Sequence, residues 1–226
     1  MTSATAVLVG SQVPRYLLVP RAKSSAGPEA VELAASAGLE LDPWQSLVLE
    51  GALAEAPDGR WAAKEVGLIV PRQNGKGGIL EARELAGLFL FGEMLILHSA
   101  HEFKTAVEAF RRVLSLIQNT PDLDRRVQRV STSHGEEGVE LIGGQRLRFV
   151  ARSTGSGRGF TGDCVILDEA YNLSPAVIAA LLPTMAAVRN PQLWYTSSAP
   201  LPRSESDTLR RLCKRGREGA REAMAA

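Results

Sequence analysis

Two short stretches of this sequence carry residue types that can act on a polyphosphate. The first is Val70-Pro71-Arg72-Gln73-Asn74-Gly75-Lys76-Gly77-Gly78. Backbone N–H groups of such a loop, with the positive end of a following helix, attract phosphate oxygens. Gly75 allows the backbone to come close, and Lys76 puts a point charge on the β- and γ-phosphates. The match to G-x-x-x-x-G-K-[ST] fails at two positions: Val70 stands at the first glycine and Gly77 at the Ser/Thr that would ligate Mg²⁺. A water or another side chain has to replace that hydroxyl. Taken alone, the stretch also fits a glycine-rich helix start with a solvated lysine.

The second stretch is apolar Val165-Ile166-Leu167 ending in Asp168-Glu169. Beside a bound nucleoside triphosphate, the first carboxylate holds Mg²⁺ through water and the second polarises the attacking water. Neighbouring residues at a strand end can do both jobs because their side chains diverge. A surface Asp-Glu pair capping a helix is the plainer alternative. The order of the two stretches, strand–loop–helix and later strand-Asp-Glu, favours an NTPase over either plain reading.

Three further groups sit where such a site could use them. Thr196-Ser197-Ser198 ends another apolar run and could lie beside the γ-phosphate, or form a polar turn. Trp44 and Gln45 precede the phosphate loop; a glutamine amide can both donate to and accept from an adenine edge, while Trp44 could equally be core. Residues 152–160 are rich in Gly and Ser with two arginines, Arg152 and Arg158. Such a loop can carry a guanidinium to a phosphate, or simply be a solvated surface loop.

The elements that must position these groups can be read from periodicity. Asp42 with Pro43 reads as an N-cap followed by proline at the first helical position, opening a helix over 46–54. Residues 65–70 form a short buried strand ahead of the phosphate loop, and 76–91 a helix after it. A second strand covers 93–99. Residues 102–117 make an amphipathic helix with Phe103, Val107, Phe110, Val113, Leu114 and Ile117 on one side. Residues 127–150 break into short strands with tight turns, Gly143-Gly144 being read as a two-residue hairpin turn. Strand 163–168, helix 175–185, strand 192–196 and a basic helix over 204–225 complete the chain. A further short helix is expected over 28–38. Strand–helix alternation implies an α/β fold, a mostly parallel sheet flanked by helices, with a β-hairpin insertion.

Three segments are expected: an N-terminal arm over 1–30 with Pro14, Pro20 and Pro28, a P-loop domain over 31–205, and a basic helical segment over 206–226. A formal net charge of +1 gives no global field for nucleic acid, so any such contact is local. Candidate basic faces are Arg111/Arg112, Arg125/Arg126 and Arg210, Arg211, Lys214, Arg215 and Arg217. Cys164 and Cys213 form no disulfide framework and suit a reducing compartment. No signal-peptide pattern opens the chain, and no apolar run approaches the ~20 residues of a membrane span.

The pieces together resemble the N-terminal ATPase domain of tailed-phage large terminases. LDPWQ (41–45) is similar to that family's adenine-recognition motif and PRQNGK (71–76) to its deviant phosphate loop with an early basic residue. VILDEA (165–170) resembles its Walker B strand and TSSAP (196–200) its coupling motif. The resemblance covers roughly residues 40–200. It implies an additional-strand P-loop NTPase fold, ATP and Mg²⁺ as cofactors, and a homo-oligomeric ring, a pentamer, on a portal protein with double-stranded DNA in its pore. A small terminase subunit is the further implied partner. It places the protein in the host cytoplasm, transiently at the procapsid portal, and outside the mature virion.

By similarity, Lys76, Gln73, Asn74, Gly75 and Gly77 bind phosphates with Trp44 and Gln45 at the base. Arg72 clamps or senses the γ-phosphate. Asp168 holds Mg²⁺, Glu169 is the catalytic carboxylate, Arg158 stands where related motors carry a trans-acting arginine, and Thr196, Ser197 and Ser198 couple hydrolysis to motion. Large terminases also carry a C-terminal nuclease; no second acidic cluster follows here, so DNA cleavage is not expected from this chain. Two other readings stay open: a helicase-like nucleic-acid-dependent ATPase of another lineage, and a nucleotide-binding assembly module with little turnover.

Overall fold

The structure, a computed structural model, describes residues 10–152, 162–199 and 206–225. In chain order the elements are β1 (Ser24–Ser25), α1 (Gly27–Ser36), α2 (Pro43–Ala52), β2 (Ala54–Glu55), β3 (Glu65–Ile69) and α3 (Lys76–Ala86). A π-helical turn, Gly87–Phe91, continues α3. Then come β4 (Leu95–Ala100), α4 (Phe103–Gln118), α5 (Pro121–Asp124), β5 (Val127–Ser131), β6 (Gly138–Leu141), β7 (Arg146–Ala151) and β8 (Cys164–Leu167). A 3₁₀ turn (Ala170–Asn172), α6 (Pro175–Met185), β9 (Gln192–Ser197) and α7 (Asp207–Ala225) follow.

Seven strands form one sheet in the order β3-β9-β8-β4-β7-β6-β5. The first five are parallel, and β6 and β5 extend the edge antiparallel. The strand of the acidic pair, β8, is therefore not beside the phosphate-loop strand β3. β9 is inserted between them, which is the additional strand of the expected fold. The hairpin β6–β7 grows out of the same sheet. Its turn differs from the expected two-residue form. Leu141 and Gln145 close it (Leu141 N donates to Gln145 O, 2.9 Å), leaving Ile142-Gly143-Gly144 as the loop. Gly144 takes φ 87°, the left-handed step that a three-residue hairpin loop requires.

Strand alternation divides the core between the faces. Cys164, Ile166, Ile96 and Trp194 pack with α1–α4 on one side. Leu97, Val165, Leu167, Leu193 and Tyr195 pack with α6 and α7 on the other. Both faces are covered, which is why β4, β8 and β9 are buried along their whole length, with apolar residues through β8 and polar ones near the ends of β4 and β9.

Helix α3, which starts at Lys76, carries buried charge. Arg83 is bidentate to Glu93 (2.9 and 2.6 Å) and also donates to Gln192 Oε1 (3.1 Å). Glu84 Oε1 lies 2.5 Å from His98 Nδ1 on β4. These contacts anchor the helix to the sheet beneath it. The α-helical run is shorter than the periodicity of 76–91 suggested, because the chain widens into the π-turn at Gly87. A Cβ there would collide with Glu93, with Ile96 Cδ1 at 2.5 Å and with Arg83 Nη1 at 2.8 Å.

Candidate active site

Because β3, β9, β8, β4 and β7 are parallel, their carboxyl ends lie on one edge, the usual position for a ligand site in such sheets. The loop leaving β3 is tied to the end of β9, where Val70 N donates to Ser197 O (3.1 Å). Two left-handed residues shape it, Gln73 (φ 58°) and Gly75 (φ 78°). At Gly75 a side chain would also meet Gln45 Nε2 at 2.8 Å, so conformation and space both call for glycine.

Gln45 is buried and its amide works in two directions. Oε1 accepts from Asp42 N (2.6 Å), the reciprocal half of a capping box, and Nε2 donates to Gly75 O (2.7 Å). The residue thereby fastens the start of α2 to the phosphate loop. One acceptor lone pair and one N–H remain for other partners. Trp44 is half-buried and packs against the core. Its ring comes within 3.8 Å of the point a Gly75 Cβ would occupy.

Lys76, Asp168 and Glu169 converge. Lys76 Nζ donates to Pro71 O (3.2 Å). Burial pushes its pKa below the ordinary lysine value; the charges of Asp168 and Glu169 oppose that and Arg72 adds to it. Asp168 extends β8, its N–H donating to Ser99 O of β4 (2.9 Å). Its Oδ1 accepts from Thr196 Oγ1 (2.5 Å) and from Glu169 N (2.9 Å), leaving Oδ2 for another partner. Glu169 then adopts a left-handed conformation, φ 53° and ψ 48°, uncommon for a residue with a side chain. Its pKa is raised, first by burial and then by Asp168 and Glu102, against the opposing charges of His101 and Arg152. Thr196 and Ser197 are buried at the end of β9, and Ser197 Oγ has no hydrogen-bond partner among the described residues. Ser198 is half-buried.

At Gly77 a side chain would stand in tight contact with charged neighbours. A Cβ would lie 3.0 Å from Arg112 Nη2 and 3.2 Å from Glu81 Oε1. These two form an ion pair at 2.7 Å between α4 and α3. No group of three His, Cys, Asp or Glu among the described residues could hold a metal alone. The open Oδ2 of Asp168 fits Mg²⁺, which bonds few carboxylates and takes its other ligands from phosphates and water.

The structure therefore brings Lys76, Asp168, Glu169, Thr196 and Ser197 to one edge, with Arg72 close enough to act on Lys76 electrostatically. Arg72, Gln73 and Asn74 are exposed on the loop. Arg158 lies outside the described residues. Arg152, the other arginine of that stretch and the alternative to Arg158 for the trans-acting role, faces inward onto the Asp168-Glu169 turn. Nothing in the sequence distinguished it from Arg158. The expected basic faces are largely engaged: Arg111 with Glu108, Arg112 with Glu81, Arg125 with Asp122, Arg210 with Asp207 and Arg215 with Glu65. Among the described residues no helix is long and apolar enough to cross a membrane.

No family model and no curated protein matches the chain. Solved structures do. The large terminase of bacteriophage HK97 aligns over 78% of this chain and 38% of its own, with TM-score 0.64 and 19% identity. The large terminase ATPase domain of Thermus phage P74-26 aligns over 74% of this chain and 68% of its own, at TM-score 0.55 and 19% identity. The large terminase of a thermophilic bacteriophage, in complex with ATP-γ-S, covers 68% of this chain and 36% of its own, at TM-score 0.51 and 12% identity. This chain thus spans well under half of the HK97 protein and of the terminase that binds ATP-γ-S. At the level these likenesses reach, the chain has the fold of phage large terminase ATPase domains.

Proposed function

We propose that the chain is an ATP hydrolase, the motor domain of a large terminase that drives double-stranded DNA into a procapsid. The observation that carries this reading is the meeting of Lys76, Asp168 and Glu169 at one sheet edge, with Thr196 of the intervening strand bonded to Asp168. The terminase in complex with ATP-γ-S is a fold neighbour that supports ATP as the nucleotide.

In this reading the loop 71–75 and the start of α3 cradle the polyphosphate with backbone N–H groups, and Lys76 exchanges its bond to Pro71 O for phosphate oxygens. Asp168, oriented by Thr196, would hold Mg²⁺ through Oδ2. That ion, when bound, neutralises charge on the β- and γ-phosphates. Glu169 orients the attacking water and takes its proton. Its raised pKa makes it a stronger base than an ordinary carboxylate. Arg72 stands by the γ-phosphate, and Arg158 of a neighbouring subunit completes the site. The assembly is a pentameric ring on the portal protein, with small terminase subunit and duplex DNA as further partners, working in the host cytoplasm. Contacts to DNA are to phosphates and independent of sequence.

Steady-state ATP hydrolysis with Mg²⁺, over a range of protein concentrations, tests this. Glu169→Gln should lower turnover by on the order of 10²–10⁴-fold while nucleotide binding persists. Lys76→Ala should lose binding itself. Turnover per chain should climb with concentration as subunits complete one another's sites. The missing hydroxyl at Gly77 favours one competing reading, a nucleotide-binding assembly module. Tight ATP binding without turnover at any concentration, DNA and portal present, would establish that module instead.

A further inference from the structure

We propose that Arg152 is the brace of the Asp168-Glu169 turn: a positioning residue for Glu169 that acts within its own subunit. Arg152 directly follows β7, and its backbone N–H donates to Ala100 O at the end of β4 (2.8 Å). From that anchor the side chain crosses the end of β4 to reach the end of β8. Its Nη2 donates to Ser99 O (3.0 Å) and to Asp168 O, and its Nη1 donates to Glu169 O (3.3 Å). Ser99 O also accepts from Asp168 N (2.9 Å). One guanidinium thus gathers three carbonyls of two strand ends around the turn.

The geometry explains a conformation that is otherwise unfavourable. Glu169 is left-handed, and a residue with a side chain stays there only if its surroundings over-determine it. Two of the three braced carbonyls flank that step. The left-handed step sets the direction in which the Glu169 side chain leaves the backbone, so the brace fixes where the carboxylate stands. Guanidinium suits this task. It is planar and presents its donors in a fixed fork, whereas a lysine ammonium is a compact point charge that cannot serve the same three carbonyls together. The same contacts turn Arg152 into its own subunit, away from the role of an arginine reaching across an interface.

The kinetic arm of the test rests on the ATP-hydrolase reading; the exchange arm does not. Arg152→Gln, Arg152→Lys and wild type are compared by amide hydrogen exchange of the nucleotide-free chain and by ATP kinetics. Exchange at Asp168 to Tyr171 should speed up by about tenfold in both variants, with β3 and β9 unchanged. The kcat should fall on the order of 10²-fold, as a small misplacement of a catalytic group costs. The KM for ATP should stay put, and lysine should not restore the rate. A merely structural arginine would instead lower protection across the sheet and raise KM with it. Wild-type exchange at the turn in Arg152→Gln would overturn the brace. Mixing Arg152→Gln with Glu169→Gln chains and recovering turnover would overturn action within one subunit. If the wild type itself hydrolyses no ATP, the functional reading fails, and the exchange result still decides the brace.

Discussion

At the scale of single residues, the site is a set of backbone conformations held by side chains. Gln45 holds the phosphate loop, and Thr196 holds Asp168. Thr196 shows the logic. It is buried, and its hydroxyl donates to the one Asp168 oxygen that also accepts Glu169 N. Thr196→Val keeps the shape and removes that donor. A hydrogen bond to a charged group contributes ~1.5–3 kcal/mol. Most of this should be felt by the carboxylate's orientation and little by the fold. We expect Thr196→Val to need several-fold more Mg²⁺ for half-maximal ATP turnover. A Mg²⁺ titration at fixed ATP that overlays the wild type would show that Thr196 does not organise Asp168. The residues with a chemical signature, Lys76, Asp168 and Glu169, were legible in the sequence because their types and order are rare together. Arg152 was not. A guanidinium that binds carbonyls has no motif of its own, and its partners lie on strands that only the fold brings together. At Gly77 the sequence revealed a missing hydroxyl, but not that a side chain there would crowd the Glu81–Arg112 ion pair.

At the scale of elements, α3 is the part that connects nucleotide to sheet, and its anchors are buried ions. Burial alone would lower the His98 pKa, but the charge and hydrogen bond of Glu84 outweigh it and the net shift is upward. A folded-state pKa above the unfolded one stabilises the fold fully below the unfolded value, near 6.5, and the gain is lost as pH rises through the folded value. Stability should therefore decline as pH rises above about 6.5, the unfolded value, and Glu84→Gln should flatten that part of the profile. Urea midpoints at several pH values check it; a Glu84→Gln profile parallel to wild type would exclude the pair as its source. Glu84→Ala alone should cost about 3–5 kcal/mol, because it strands a buried partner, while a double Glu84→Met/His98→Leu exchange should cost far less. Gly87→Ala belongs with these, since its methyl would be forced into the Arg83–Glu93 pair. We expect a loss of about 1–3 kcal/mol, read as a lower urea midpoint. The elements themselves were visible as periodicity. The π-turn that closes the helical run, Gly87–Phe91, was not, because it changes the hydrogen-bond spacing within the run without interrupting it. The hairpin turn was misjudged for a related reason: Gly143-Gly144 fits a two-residue loop by composition, and only the pairing of Leu141 with Gln145 selects the longer one.

At the scale of the whole molecule, strand order decides the function that can be read. Alternating strands and helices imply a parallel sheet, yet nothing local says that β9 lies between β3 and β8. That insertion carries Thr196 and Ser197 between the two chemical strands. Distant segments also meet where the sequence suggested only a loosely held arm. Residues 10–26 bridge α2 and α7. Gln12 Oε1 accepts from Trp44 N (3.3 Å), and Val19 lies against Gly51, its Cγ2 3.0 Å from where a Cβ would stand. Leu18 Cδ2 comes within 2.8 Å of the same point at Gly219, and the Tyr16 ring lies 5.9 and 5.8 Å from the Arg217 and Arg221 guanidinium carbons. The first half of α7 rests on β3, by Leu212 on Gly67 and Arg215 on Glu65 at 2.5 Å. The arm is thus the contact that secures the second half of α7. An exposed cation–π contact contributes ~0.5–1 kcal/mol, and burying part of a leucine about as much again. Together they should shift the local opening of α7 by about five- to thirtyfold. Limited trypsin digestion reads this directly, because Arg217 and Arg221 are themselves cleavage sites that open with the helix. Tyr16→Ala with Leu18→Ala should speed cleavage at those two arginines by about that factor, with ATP binding unchanged, since neither residue touches the sheet edge. Equal cleavage rates in variant and wild type would show that α7 is held by β3 alone and that the arm only lies upon it.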